Sequence, residues 1–304
     1  MKPKIELKGV TVPMLTPMKG NEDLDLDGAK TLVEWLIDKG VHGIFPVSNV
    51  GEAGKLSMEE RKTLIKVVVD SVNGRIPVIV GVGFPDAKRT IELTRYAMDV
   101  GADAALIMPP YGCLKPSDEA LYDYYKTIND AIDEFPLILY NIPAIVHYEL
   151  SPELVARCAD LSNVVAIKDS GGDIKKLAFM CRLAGEKIKI FSGLDILFLP
   201  SLVVGAAGGF LGGGNFAADI EVNLYNAFVN GDLKRAIELH QRIVTFWMGV
   251  MEIGKLISSL KLATSLVGVP VGPERKPAER LTENEIQRIK IALEEAGLIP
   301  ARGT

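Results

Sequence analysis

The sequence has few residues that could tie a fold together through disulfides or metals. Three cysteines, Cys113, Cys158 and Cys181, occur among 304 residues, and no two stand in a CxxC spacing. An odd number without paired spacing argues against a disulfide framework or a zinc site and is typical of buried thiols in a reducing compartment. The three histidines form neither an HxH nor an HExxH pattern. We therefore assign no residue of this chain to a metal.

An excess of positive charge and long apolar runs are also missing. The 34 Lys and Arg residues are outnumbered by 39 Asp and Glu, which gives a formal net charge of −5. Nucleic-acid binding needs a basic excess that displaces counterions, so we expect no such partner. The N-terminus carries charges where a signal peptide needs an apolar stretch. The run nearest to a membrane span, Phe198 to Phe216, is full of glycine. We expect a cytoplasmic protein without a membrane partner.

What the chain does contain is a regular alternation of two kinds of segment. Short apolar runs recur eight times, with longer segments of helical periodicity between them. The predicted strands are Gly9–Leu15, His42–Pro46, Pro77–Gly81, Ala104–Met108, Leu137–Tyr140, Val164–Lys168, Ile188–Ser192 and Gly208–Leu211. Such continuous apolar runs are typical of parallel strands covered on both faces, and eight strand–helix units predict a (β/α)8 barrel. An open doubly wound sheet, the second candidate, usually carries a GxGxxG turn where this chain has Thr16-Pro17.

The strand pattern stops at about residue 230. Three helices are predicted beyond it, over Leu233–Met251, Lys255–Val267 and Thr282–Ala296. The last two are separated by the proline-rich segment Gly268–Pro277, which cannot be helical. We therefore predict a catalytic barrel over residues 1–230 and a C-terminal helical extension over residues 231–304.

Two residues at predicted strand ends could carry chemistry. Lys168 follows the apolar run Val164–Ile167, where loss of hydration favours the neutral, nucleophilic amine that forms a Schiff base with a ketone. Tyr140 ends the preceding strand, and its phenol could relay protons to the same cavity. The structural alternatives are an ion pair between Lys168 and Asp169 and a core tyrosine bonded to a backbone carbonyl.

Three further segments follow strand ends. In Ser48–Glu52, Gly51 lets backbone N–H groups approach an anion such as a carboxylate, although turns use glycine routinely. Asp195 could accept hydrogen bonds from sugar hydroxyls or could cap the next helix. Asn215 follows three glycines and could line the mouth of the barrel. Those glycines could hold a phosphate or only permit close packing.

Together these positions resemble the dihydrodipicolinate synthase/N-acetylneuraminate lyase superfamily over the whole chain. The motifs that carry the resemblance are Thr16-Pro17, Gly51-Glu52, Pro110-Tyr111, Tyr140-Asn-Ile-Pro143, Ile167-Lys168-Asp169, Gly193-x-Asp195 and the glycine-rich Asn215 turn. The resemblance implies that Lys168 forms a Schiff base with pyruvate, that Tyr140 moves protons, and that residues 48–52 bind the pyruvate carboxylate. It also implies that no metal or organic cofactor is needed and that the protein is a homotetramer.

The departures from the family pattern favour one branch of it. Asn49 and Val50 replace the two hydroxyl residues of the family loop, so backbone N–H groups, Ser48 or Asn49 must bind the carboxylate. Gly112 stands where the lysine-pathway synthases have a second tyrosine, and Ile145 where they have an arginine. An apolar side chain cannot pair with the carboxylate of aspartate semialdehyde, which disfavours that substrate.

The leading hypothesis is therefore a class I aldolase that reversibly cleaves a 2-keto-3-deoxy sugar acid to pyruvate and an aldehyde, with Asp195 and Asn215 contacting hydroxyls. The first alternative is a 4-hydroxy-tetrahydrodipicolinate synthase that condenses pyruvate with aspartate semialdehyde in lysine biosynthesis. The second is a non-catalytic relative that binds a keto acid as a sensor.

Overall fold

The computed structural model describes residue 2 and residues 5–301. The chain forms two compact units. The first unit comprises Pro77–Phe210 and the described residues before Gly9, and the second comprises Gly9–Ile76 and the described residues from Leu211 onward.

The secondary structure is a repeated succession of one strand and at least one helix. The strands are β1 (Gly9–Pro13), β2 (Gly43–Phe45), β3 (Ile79–Gly81), β4 (Ala104–Ile107), β5 (Leu137–Asn141), β6 (Val164–Asp169), β7 (Lys189–Ser192) and β8 (Gly208–Phe210). The helices are α1 (Leu26–Asp38), α2 (Met58–Val72), α3 (Ala87–Asp99), α4 (Asp118–Asp130), α5 (Pro143–Val146), α6 (Pro152–Cys158), α7 (Ile174–Ala184), α8 (Phe198–Val203), α9 (Gly214–Val229), α10 (Leu233–Val250), α11 (Leu256–Leu266) and α12 (Glu283–Glu295). All eight predicted strands are present, which is the succession expected of a (β/α)8 barrel.

In the first unit, strands β3 to β8 pair in parallel, each with the next along the chain. The register between β5 and β6 places Tyr140 opposite Lys168 and Asn141 opposite Asp169. Every residue of these two strands is buried, as their continuous apolar sequences predict. The two candidate catalytic residues are therefore neighbours at the carboxyl ends of paired strands.

In the second unit, β1 and β2 pair in parallel, with Thr11 opposite Gly43. Strand β1 ends two residues earlier than predicted, because the N–H of Leu15 donates to the side chain of Asn215 instead of to a strand. Capping boxes form at Ser57 for α2 and at Thr282 for α12. Each box satisfies backbone donors that would otherwise lack a partner at a helix start.

The proline-rich connector between α11 and α12 is not helical, as predicted. It lies against the segment after β1, where the N–H of Met18 donates to the carbonyl of Val271 at 3.0 Å. Gly272 has a φ of +67°, and a Cβ there would lie 1.8 Å from the Met18 carbonyl oxygen. Only glycine fits such an approach. The C-terminal helices thus share one compact unit with β1 and β2, and the boundary predicted at residue 230 stays a prediction.

Candidate active site

Lys168 and Tyr140, the two predicted catalytic residues, lie side by side. The Lys168 Nζ atom lies 4.4 Å from the centroid of the Tyr140 ring, and the two residues are 5% and 4% exposed. The ring of Phe210, at the end of β8, has its centroid 5.8 Å from the same Nζ. The amine therefore lies beside two aromatic rings in a setting largely shielded from water.

The hydroxyl of Tyr140 is available for chemistry. Within the described part of the chain it neither donates nor accepts a hydrogen bond, so the alternative of a core tyrosine bonded to a backbone carbonyl is wrong. A buried phenol usually has a hydrogen-bond partner. One without a partner is free to exchange a proton with a bound molecule.

A hydrogen-bonded clamp lies directly beyond this pair. Asn141 Nδ2 donates to Asp169 Oδ1 at 2.6 Å, and Asn141 Oδ1 accepts from the N–H of Leu150 at 3.0 Å. Asp169 also accepts from the N–H of Gly171 at 3.2 Å. Burial raises the pKa of Asp169, while the bonds from Asn141 and Gly171 oppose that shift. Both residues belong to the motifs predicted from the sequence, where Asp169 was considered only as an ion-pair partner of Lys168 and Asn141 had no role.

Gly193, after β7, closes the side of this site. Its N–H donates to the Asp169 carbonyl at 2.6 Å. A Cβ on Gly193 would lie 2.0 Å from the Ser170 Oγ and 3.0 Å from the Lys168 Cε. The glycine of the Gly193-x-Asp195 motif is thus explained by the space that the lysine side chain needs.

Asp195 is buried, with 1% of its surface exposed, and is the first residue of a short 3-10 helix, Asp195–Leu197. The residue before that helix is Leu194, so the interpretation of Asp195 as a helix cap is wrong. Its contact with substrate hydroxyls stays a prediction.

The segment Ser48–Glu52 forms a tight turn in the second unit. Gly51 donates its N–H to the Ser48 Oγ at 3.0 Å, and its carbonyl accepts from the Thr16 hydroxyl at 2.5 Å. A Cβ on Gly51 would lie 2.7 Å from the Met14 carbonyl oxygen, which excludes larger residues. The conformation of this turn is therefore set by contacts on both sides of Gly51.

The same turn leaves two backbone donors uncommitted. Among the described residues, the N–H groups of Asn49 and Val50 donate to no protein acceptor. Both residues are only partly buried. Backbone N–H groups bind a substrate regardless of the side chain, which is how this turn could bind an anion without the two missing hydroxyls.

Asn215, by contrast, is engaged within the protein. Its Nδ2 donates to the carbonyls of Pro13 and Gly212, both at 2.9 Å, and its Oδ1 accepts from the N–H of Leu15 at 3.0 Å. It is fully buried. Its predicted contact with substrate stays a prediction, and only the second acceptor position of Oδ1 remains for it.

No group of three or more His, Cys, Asp or Glu residues suited to a metal occurs among the residues that the structure describes. In the same residues, no helix is both long enough and apolar enough to span a bilayer.

Comparison with known proteins identifies the class. Residues 6–296 match the dihydrodipicolinate synthetase family, and the chain belongs to that family. A DapA-like lyase of Pyrobaculum aerophilum is 36% identical, over 97% of this chain and 100% of the relative. The 4-hydroxy-tetrahydrodipicolinate synthase of Methanopyrus kandleri is 34% identical, over 98% of this chain and 99% of the relative.

Solved structures agree with this assignment. A crystal structure of a dihydrodipicolinate synthase superposes with a TM-score of 0.91 at 33% identity, over 96% of this chain and 100% of that one. YagE, an Escherichia coli K12 prophage protein of the same family in complex with pyruvate, superposes with a TM-score of 0.92 at 31% identity, over 96% and 99% of the two chains. The predicted (β/α)8 barrel is confirmed. The protein is a carbon–carbon lyase of the class I pyruvate aldolase superfamily.

Proposed function

We propose that this protein reversibly cleaves a 2-keto-3-deoxy sugar acid to pyruvate and an aldehyde through a Schiff base on Lys168. The observation that carries the proposal is the buried pair of Lys168 and Tyr140, with the lysine Nζ 4.4 Å from the tyrosine ring centroid. A lysine that forms a Schiff base needs shielding from bulk water and a neighbouring group that moves protons. The free Tyr140 hydroxyl supplies the second requirement.

The reaction balances with these two groups. The Lys168 Nζ attacks the C2 keto carbon, and loss of water gives a protonated imine. Tyr140 takes the proton of the C4 hydroxyl as the C3–C4 bond breaks, so the aldehyde leaves and the bonding electrons form an enamine. Tyr140 then passes this proton to C3, and hydrolysis of the resulting imine releases pyruvate and regenerates the amine. The imine accepts the electrons of the broken bond, so we propose no metal or organic cofactor.

The substrate carboxylate is assigned to the turn Ser48–Glu52. The uncommitted N–H groups of Asn49 and Val50 support this assignment, since an anion is bound well by converging backbone donors. Gly51 shapes the turn, and the Ser48 hydroxyl holds the Gly51 N–H. Asp195 and Asn215 contact substrate hydroxyls in this proposal.

Two observations bear on the aldehyde. Ile145, which replaces the arginine of the lysine-pathway synthases, is 45% exposed and carries no charge. An uncharged polyhydroxy aldehyde suits such a residue better than a second carboxylate does. Relatives named 4-hydroxy-tetrahydrodipicolinate synthase favour condensation of pyruvate with aspartate semialdehyde as the second candidate. By the resemblance to the family, we also propose a cytoplasmic homotetramer.

The mechanism is tested by trapping the imine. Incubation with pyruvate and borohydride should reduce it to a stable adduct that peptide mass mapping finds on Lys168. Lys168→Arg should abolish the adduct, whereas Lys175→Arg, on α7, should leave it unchanged. A wild-type chain whose Lys168 stays unmodified would contradict the proposed mechanism.

The substrate is tested by turnover. Pyruvate release from a panel of 2-keto-3-deoxy sugar acids is compared with pyruvate consumption in the presence of aspartate semialdehyde. Release from a sugar acid supports the aldolase, and condensation alone supports the synthase. An adduct without turnover on either panel indicates the non-catalytic keto-acid binder.

A further inference from the structure

A buried ion pair links the C-terminal helices to the turn after β2. The Oε1 of Glu52 lies 2.6 Å from the Nζ of Lys261 on α11, and the two side chains are 0% and 4% exposed. Burying two charges is costly unless further hydrogen bonds accompany their attraction. Both partners have such bonds: Glu52 Oε2 accepts from the N–H of Arg275 at 2.9 Å and from Lys55 Nζ at 3.4 Å, and Lys261 donates to the Pro273 carbonyl at 2.6 Å.

Glu52 is anchored at its side chain while its backbone is held in an unfavourable conformation. Its φ is +59°, in the left-handed region that non-glycine residues adopt only where the surroundings impose it. Its N–H donates to the Asn49 carbonyl at 3.0 Å and so closes the turn. Without the bonds to its side chain, Glu52 would lower its free energy by returning to a common backbone conformation. The turn would then open.

The connector has other attachments to the same region. Lys55 donates to Glu274 Oε1 at 2.6 Å and to the Arg275 carbonyl at 2.7 Å. Arg275 pairs through two nitrogens with the carboxylate of Glu60, at 2.6 and 3.0 Å. These contacts keep the connector in place when the buried pair is removed, so a variant without the pair can still fold.

We propose that Lys261, acting through Glu52, positions the N–H groups of Asn49 and Val50 for the pyruvate carboxylate. This inference rests on the proposed function, because it assigns the turn to that carboxylate. Lys261 and Glu52 are positioning residues, and the reacting atoms are handled by Lys168 and Tyr140. The C-terminal helical segment then contributes to substrate binding as well as to stability.

The test uses the full chain and removes both charges together. In Glu52→Gln/Lys261→Met no charge remains buried without a partner, so the free energy of unfolding should stay close to that of the wild type. The pyruvate concentration that gives half-maximal borohydride adduct should rise between about 10- and 100-fold, the cost of a group misplaced by about 1 Å. The maximal adduct should be unchanged, since Lys168 is intact. Lys261→Arg keeps the charge and should therefore retain most of the wild-type affinity for pyruvate.

A matched control removes an exposed pair instead. Lys66 and Asp70 form an ion pair on α2 with both side chains 59% exposed, and Lys66→Met/Asp70→Asn should leave half-saturation unchanged. If the buried double variant precipitates, Glu52→Gln/Lys261→Gln provides the same test, because it also leaves no buried charge unpaired and the glutamine at position 52 keeps the acceptor for the Arg275 N–H. If the wild type forms the adduct and the buried variant reaches half-maximal adduct at the same pyruvate concentration, the inference is overturned while the proposed function stands. A wild-type chain without any adduct overturns the proposed function and the inference together.

Discussion

The side-chain amide of Asn141 donates a 2.6 Å hydrogen bond to the carboxylate of Asp169, one residue beyond Tyr140 and Lys168 in the β5–β6 register. The bond joins the carboxyl ends of the two strands that carry the proposed catalytic pair. It therefore holds the backbones of Tyr140 and Lys168 together without using either side chain. The Tyr140 phenol makes no hydrogen bond within the described residues, and the clamp keeps it beside Lys168.

Removal of this clamp should reduce both stability and activity. Asn141→Ala leaves the N–H of Leu150 without a partner and the buried Asp169 carboxylate with the N–H of Gly171 but without the amide of Asn141. Each lost bond should lower the free energy of unfolding by about 1–3 kcal/mol. Urea unfolding measures the loss, and the rate of adduct formation measures the effect on Lys168. Asn21→Ala, which removes an exposed bond to Asp23 at 2.7 Å, serves as the control. A variant as stable and as fast as the wild type would refute the clamp.

Tyr140→Phe should separate proton transfer from imine formation. The ring stays beside Lys168, but the hydroxyl that moves the proton is lost. Turnover should fall by about 100- to 10,000-fold, while the Lys168 adduct with pyruvate still forms under borohydride. Equal turnover in the variant and the wild type would remove Tyr140 from the mechanism.

Gly193→Ala should obstruct Lys168. The added Cβ would lie 2.0 Å from the Ser170 Oγ and 3.0 Å from the Lys168 Cε, so the serine hydroxyl must move and the lysine side chain must shift slightly. We expect slower adduct formation and a loss of about 1–3 kcal/mol in the free energy of unfolding.

Two further variants separate the contact with Ser170 from the contact with Lys168. Gly193→Ala/Ser170→Ala relieves the contact with the serine and should recover stability but not adduct rate. Gly20→Ala, where no atom lies within 4 Å of the added Cβ, should change neither. Full recovery of the adduct rate in the double variant would mean that the lysine does not need the space.

Glu285 should make the C-terminal helix sensitive to acid. Bonds from Lys255 and the capping box at Thr282 lower the pKa of Glu285 to about 2. Because the folded protein binds this proton less tightly than the unfolded chain, the contribution is complete above about pH 4.5 and is lost as the pH falls towards 2.

The measurement is the difference in urea midpoint between the wild type and Glu285→Gln. That difference should be largest at neutral pH and should shrink steadily below pH 4.5. Glu295→Gln, an exposed residue at the end of the same helix, provides the control and should show no such trend. A difference between wild type and Glu285→Gln that is constant with pH would contradict the assignment.

The sequence alone determined the strand–helix succession and the positions of Lys168 and Tyr140 at strand ends. Apolar periodicity and capping residues are local features, so each helix or strand depends on residues within or next to it. One alternative, Asp195 as a helix cap, is wrong because a short helix begins at Asp195 itself and not after it.

Only the tertiary structure decided which side chains remain available. The sequence suggested that Asn215 could line the mouth of the barrel, but its side chain is hydrogen-bonded to the backbone of Pro13, Leu15 and Gly212. Pro13 and Leu15 are about 200 residues away in the chain. Glu52 meets Lys261 across more than 200 positions of the chain. Such pairings depend on how elements pack, since burial forces each polar group to find a partner wherever the fold brings one. Local sequence patterns do not indicate such a partner, and for this reason the ion pair between Glu52 and Lys261 could not be predicted from the sequence.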